Sequence, residues 1–191
     1  MEPEFLKTQS EIEKELGSGE KLLWSGRPRQ GLRLRPADAF VIPFSLLWCG
    51  FAIFWEASVC KGNTPFFFKL WGVPFVLIGL YIVFGRFFAD ARTRARTYYG
   101  VTSERIIIVS GLFSRQIKSL SLRTLTDISL TERGDGSGTI TFGPQFSYPF
   151  GRQSNIGGWP GSSQYAAPAF DLVEHVKEAY NTIRQAQQTE K

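Results

Sequence analysis

The chain has 191 residues, with 22 lysines and arginines against 17 acidic residues, one histidine and two cysteines. The net charge of +5 alone would permit nucleic-acid contact, but much of the excess is arginine flanking two apolar runs, and no nucleic-acid-binding module surrounds it, so no such partner is expected. Two cysteines and one histidine exclude a zinc site, and the length leaves room for one soluble domain of about 100 residues beside an apolar middle.

Residues 1–38 read as a cytoplasmic N-terminal arm. Over 1–16, Phe5, Leu6, Ile12 and Leu16 recur at near-helical spacing among Glu and Lys, and Gly17-Ser-Gly19 ends the pattern. Leu22, Leu23 and Trp24 then form an apolar patch that either packs on a folded domain or lies in a membrane interface. Asp38 is a good helix N-cap.

Residues 39–90 read as a two-helix transmembrane hairpin. The run 39–55 carries no charge and the run 66–85 carries only Lys69, and a bilayer core about 30 Å thick needs roughly 17 to 25 helical residues. The linker 56–65 is too short for a domain, so the helices are antiparallel neighbours. Aromatic residues crowd the ends at Phe40, Trp55, Phe66, Phe67, Phe68 and Trp71, and Lys69 is able to snorkel. Pro43 and Pro74 predict kinks, because neighbouring groups in a membrane re-satisfy the freed carbonyls. Arg27, Arg29, Arg33 and Arg35 precede the first run and Arg86, Arg92, Arg94 and Arg96 follow the second, whereas the linker side holds only Lys61 and Lys69. That asymmetry places both chain ends in the cytoplasm. Cys49 and Cys60 fall at different depths and are expected to be unpaired.

From 91 to 187 the pattern is that of one cytoplasmic domain, followed by a disordered tail at 188–191. After a helical exit over 86–95, short strands are expected at 97–101, 105–110, 112–120, 125–133 and 138–142, with turns at Thr102-Ser-Glu104 and Gly134-Asp-Gly-Ser-Gly138. Ile106-Ile-Ile-Val109 is a buried-strand run. The stretch 144–167 mixes Gly, Pro and Ser with Phe146, Tyr148, Phe150 and Trp159, which form either a partner-contact surface or a cover for the strands. A closing helix starts at Asp171, with Glu174 completing a capping box and Leu172, Val176, Ala179, Tyr180 and Ile183 forming its buried stripe; polar residues from Gln185 onward fray.

No motif supports an enzyme. Gly134–Gly138 opens a strand and not a helix, so it is a hairpin turn and not a phosphate loop. Asp171 and His175 lie four apart with no nucleophile tied to them, and Glu132, Asp135 and Asp127 lack metal-ligand spacing. No cofactor or metal is expected.

The arm Glu20-Lys-Leu-Leu-Trp-Ser-Gly-Arg-Pro28, the two apolar runs, the segment Tyr99-Gly-Val-Thr-Ser-Glu-Arg-Ile-Ile-Ile-Val-Ser-Gly-Leu112, the Gly-x-Gly-Thr-Ile turn at 136–140 and the C-terminal helix together resemble bacterial membrane proteins with a pleckstrin-homology-like (PH-like) domain. The resemblance covers residues 20–186. It implies a bent, partly open antiparallel β-barrel of about seven strands, an α+β domain capped by its C-terminal helix. It also implies a non-catalytic adaptor, scaffold or regulator in the bacterial inner membrane, binding the lipid bilayer and another protein or membrane complex, with a homo-oligomer allowed. Phosphoinositide-binding PH domains use a basic loop between their first two strands. The turn assigned to that place, Thr102-Ser-Glu-Arg105, is short and contains a glutamate, which argues against that route. The alternative ligand is an anionic lipid headgroup held by Arg86, Arg92, Arg94 and Arg96, with Arg115 and Lys118 helping; the bland reading of the same arginines is orientation alone.

Overall fold

The computed structural model describes residues 2–31, 34, 38–111, 114–143 and 168–189. The chain divides into two compact units: a head built from both ends of the chain and a hairpin unit around 32–91.

The head contains seven antiparallel strands in two sheets plus two packed helices. One sheet has the order β1 (Leu22–Gly26), β2 (Tyr98–Thr102), β3 (Arg105–Ser110), β4 (Gln116–Ser121); the other has β5 (Ile128–Glu132), β6 (Gly138–Phe142), β7 (Ala169–Val173). The sheets meet at one corner, where Pro28 bridges Val173 and the Arg29 amide donates to the Leu172 carbonyl at 2.9 Å. At the other side β4 pairs only with β3 and β5 only with β6 among the described residues, so the barrel is not closed.

Strands β2 and β3 are buried on both faces, which explains the unbroken Ile106–Val109 run. Tyr99, Val101, Ile106 and Ile108 face the main core with Phe142, Phe170 and Val173. Their alternates Tyr98, Ile107 and Val109 are covered by α1 (Glu2–Glu13) through Ile12, which is fully buried. Gly100 allows this close approach, since a Cβ there would lie 2.6 Å from the Ile12 side chain. Across the main core, helix α5 (Val176–Thr189) buries Val176, Ala179, Ile183 and Ala186.

Three sequence expectations are corrected in the head. The apolar patch Leu22-Leu-Trp24 belongs to strand β1, with Trp24 stacked on Phe170 at 5.7 Å. Residues 169–173 form strand β7 and not the start of the last helix. Asp171 does not cap that helix; its Oδ1 accepts a bond from Thr139 of β6 at 2.9 Å. The chain turns through left-handed backbone at Leu172 (φ 54°) and His175 (φ 51°), and α5 begins only at Val176. Fraying from Gln185 is also overturned, because Gln187 donates to the carbonyls of Leu122 and Leu125, just before and just after the short turn at 122–124, and holds the helix to Thr189.

With β1 counted, the first two strands are joined by residues 27–97, which contain the whole hairpin. The turn Thr102–Arg105 joins β2 and β3, so the objection to headgroup binding drawn from its glutamate fell on the wrong connection.

The hairpin unit is α2 (Asp38–Lys61), α3 (Phe66–Leu80) and a π-helical turn Tyr81–Gly85, continuing into α4 (Arg86–Ala95). Pro43 and Pro74 lie inside α2 and α3. The expected linker shrinks: α2 runs on to Lys61, and Glu56 is a helical residue whose side chain lies over Gly72, where a Cβ would collide with the carboxylate. Buried positions recur every seven residues, at Asp38, Ser45 and Ala52 on one helix and at Gly72, Gly79 and Arg86 on the returning chain. A seven-residue repeat keeps one seam facing the partner at a small crossing angle. Small residues let the backbones approach: a Cβ on Gly79 would lie 3.1 Å from Cys49 Cα.

Candidate functional site: arginines at the ends of the hairpin

The four arginines proposed from sequence to hold a headgroup are in two different states. Arg92 and Arg96 are exposed, whereas Arg86 and Arg94 are buried, at 7% and 5% exposure. Arg94 is a clamp within the head: its Nη1 and Nη2 donate to the carbonyls of Arg29 and Gly31 at 3.0 and 2.8 Å. From the other strand, Arg27 donates to the Ala95 carbonyl at 2.7 Å and lies over the Tyr98 ring. The outgoing chain at 27–31 and the returning chain at 94–98 are thereby tied together. Arg86 belongs to the hairpin, where its Nη1 pairs with Asp38 Oδ1 at 2.8 Å.

The structure does bring Arg96 and Arg115 together. With Glu11, Tyr98, Ser110 and Ser114 they line a shallow, open pocket of about 210 Å³ beside α1. Its charge is answered from within, since Arg115 pairs with Glu15 at 2.8 Å and Glu11 at 3.5 Å. The Glu11 carboxyl is held below its ordinary range, first by its bond from Lys14 and further by the charges of Lys14, Arg115 and Lys7. Lys118 lies on the edge strand β4 and is not among the pocket residues. The aromatic set Phe146, Tyr148, Phe150 and Trp159, together with Arg33 and Arg35, lies outside the described residues.

The motif residues that carried the family resemblance interlock in the head. Arg105 grips Glu20 bidentately, Nε to Oε1 and Nη2 to Oε2, both at 2.9 Å; Thr102 donates to Oε1 at 2.6 Å and the Gly17 amide to Oε2 at 2.7 Å. The Glu20 side chain is only 2% exposed. Arg105 first, then the Thr102 hydroxyl and the Gly17 amide, hold its carboxyl down to about 2 against the opposing effect of burial. On the other side of the head, Arg29 pairs with Asp135 and with Glu174. Asp135 is held below the usual carboxylate range, chiefly by the hydroxyl and amide of Ser137 and then by Arg29. Trp24, Arg27 and Pro28 of the same arm supply the core stack, the Ala95 tie and the corner bridge. These motifs hold the fold together; among the described residues they build no reactive constellation, and no cluster of His, Cys, Asp and Glu suited to a metal occurs there. His175 is exposed in the turn before α5.

A family model described as Bacterial PH domain matches residues 41–185, a span that takes in both the hairpin and most of the head. The chain belongs to the bacterial PH domain family. Two antiparallel sheets and a C-terminal helix are consistent with that PH-like assignment. No curated protein and no solved structure matches this bacterial PH domain protein.

Sequence reasoning missed the burial of Arg86 and Arg94. An arginine that clamps carbonyls cannot be told by residue type from one that faces solvent. The one available signal was spacing, since Gly72, Gly79 and Arg86 share a seven-residue line.

Proposed function

We propose that this protein is a membrane-anchored, non-catalytic binding module, in which the hairpin spans the bilayer and the PH-like head works as an adaptor, scaffold or regulator at the cytoplasmic face. The observation that carries this reading is the inverted burial of the hairpin. Its buried positions include Ser45, Cys49, Ala52, Gly72 and Gly79, while Phe40, Leu47, Phe54 and Phe66 are 78%, 74%, 72% and 76% exposed. In water this arrangement is upside down, because each large side chain left exposed forfeits about 1.5–3 kcal/mol of burial. In lipid it is favourable, because small residues pack the seam and large apolar ones meet acyl chains. Both helices have the length and hydropathy for the task, 24 residues at mean hydropathy 1.7 and 30 residues at 2.0, counting α3 through α4.

The binding role rests on family membership, since PH domains serve as lipid- or protein-binding modules. Within the head, β4 offers the means. Its outer edge is unpaired among the described residues, and Ile117 on it is 47% exposed, which suits addition of a strand from a protein partner.

Cys60 supplies a native test of topology, being exposed at the far end of α2, while Cys49 is buried in the seam. In intact spheroplasts, a membrane-impermeant maleimide is expected to label Cys60 from outside, and Cys60→Ser to abolish the label. Labelling confined to inside-out vesicles would reverse the orientation, and equal labelling of a soluble fraction would refute the anchor.

A further inference from the structure

Arg86 has a side that the hairpin itself does not use. Its Nη1 is taken by Asp38, its guanidinium face lies over the Phe87 ring at 4.4 Å, and Nε and Nη2 are buried with no hydrogen-bond partner. The side chain is 9% exposed. Nε and Nη2 share one edge of the guanidinium, and that edge presents two parallel N–H groups in the spacing of two oxygens on one anion. The charge cannot be discharged by losing a proton, because an arginine stays cationic in proteins.

The same place is the N-terminus of α2. Asp38 is its first residue, and a helix of 24 residues directs unsatisfied amides and the positive end of its dipole there. Two independent features therefore favour an anion at one spot: the helix start and the unpartnered edge of a buried arginine. The paired carboxylate of Asp38 answers Nη1 alone. Beside the pair, Phe40, Phe84 and Phe88 are 78%, 59% and 66% exposed, an apolar surface suited to acyl chains.

We infer that the base of the hairpin binds a phosphate group, held by the Nε and Nη2 edge of Arg86 at the N-terminus of α2. A phospholipid of the inner leaflet and free inorganic phosphate both carry the required pair of oxygens. This inference deepens the membrane-anchor reading and depends on it for the lipid source only.

The test uses the full chain in dodecyl maltoside micelles, with native mass spectrometry counting retained adducts. The probes are dioleoyl phosphatidylglycerol, dioleoylglycerol, which lacks the phosphate, and inorganic phosphate. Phosphatidylglycerol is expected to be retained and dioleoylglycerol not. Arg86→Lys keeps the charge and the Asp38 pair but loses the two-donor edge, so it should weaken phosphatidylglycerol retention about tenfold or more; Arg86→Gln should abolish it. If inorganic phosphate binds with the same Arg86→Lys loss and displaces the lipid, the site is a free-phosphate site. Equal retention of dioleoylglycerol, wild-type retention by Arg86→Lys, or no binding of either phosphate probe would overturn the inference. Cys60 labelling does not involve Arg86, so a failure here leaves the anchor reading standing and is distinguishable from a failure of that reading.

Discussion

In the head, Phe170 is fully buried, stacked on Tyr99 at 4.6 Å and meeting Phe142 edge-on at 5.1 Å, with threonines and charged groups left to the margins. In the hairpin the seam takes in a serine, a cysteine, an alanine and two glycines, and the phenylalanines point away. One chain thus applies two opposite burial rules, which is what two different solvents require: water expels apolar surface, whereas lipid is as apolar as leucine and leaves packing closeness to decide helix association. The same contrast extends to charge. Glu20 and Arg105 form a fully hydrogen-bonded network in the head, whereas Asp38 and Arg86 in the hairpin leave donors unanswered.

The largest effect should come from breaking the rule of the head. Phe170→Ala removes the ring at the centre of the aromatic cluster and should cost about 3–5 kcal/mol, read as a lower urea midpoint in pulse proteolysis of the full chain in micelles. An unchanged midpoint would mean that the head core lies elsewhere. Breaking the rule of the hairpin comes next. Leu47→Arg puts a charge on its outer face at a cost of about 3 kcal/mol in lipid, so the membrane-bound fraction should fall sharply. In a water-facing helix the same change would be tolerated.

Glu20→Gln sharpens the comparison through pH. The Glu20 carboxyl titrates near 2 in the folded head against an ordinary value of 4.5. A depressed carboxylate pKa stabilises the fold fully above pH 4.5, and that stabilisation, roughly 3 kcal/mol at most, is lost as pH falls toward 2. Glu20→Gln should therefore lower stability at pH 7 by about 1–3 kcal/mol and flatten its acid limb. An acid limb identical to that of the wild type would show that Glu20 is not the titrating group. The smallest effect is expected on the head surface, where Ile117→Lys should shift stability by no more than about 0.5 kcal/mol while weakening any partner captured along β4.

Much of this architecture could be read from residue order, and the exceptions have physical causes. The hairpin was legible because uninterrupted apolar runs of that length have few other uses, and α5 because Val176, Ala179 and Ile183 keep helical spacing. Strand β1 escaped because Leu-Leu-Trp-Ser-Gly is short, shows no alternation, and pairs with β2 some 70 residues onward. Strand β7 was hidden because Leu172 and Val176 fit a helical stripe equally well; only left-handed backbone at Leu172 and His175 separates strand from helix. Glu56 was assigned to the linker because a charge normally ends a membrane run, and the notch at Gly72 that accommodates it is a property of the neighbouring helix. Of the candidate site, the arginine cluster was visible as composition, but its division into a clamp, an ion pair and two exposed residues depends on which carbonyls and carboxylates lie within reach.

Extraction of native membranes with alkaline carbonate tests the two-solvent account most directly. The full chain should remain in the membrane pellet after the wash and be released only by detergent. Recovery of the intact chain in the carbonate supernatant would contradict the account, because the outward-facing phenylalanines of the hairpin would then have to be covered by protein.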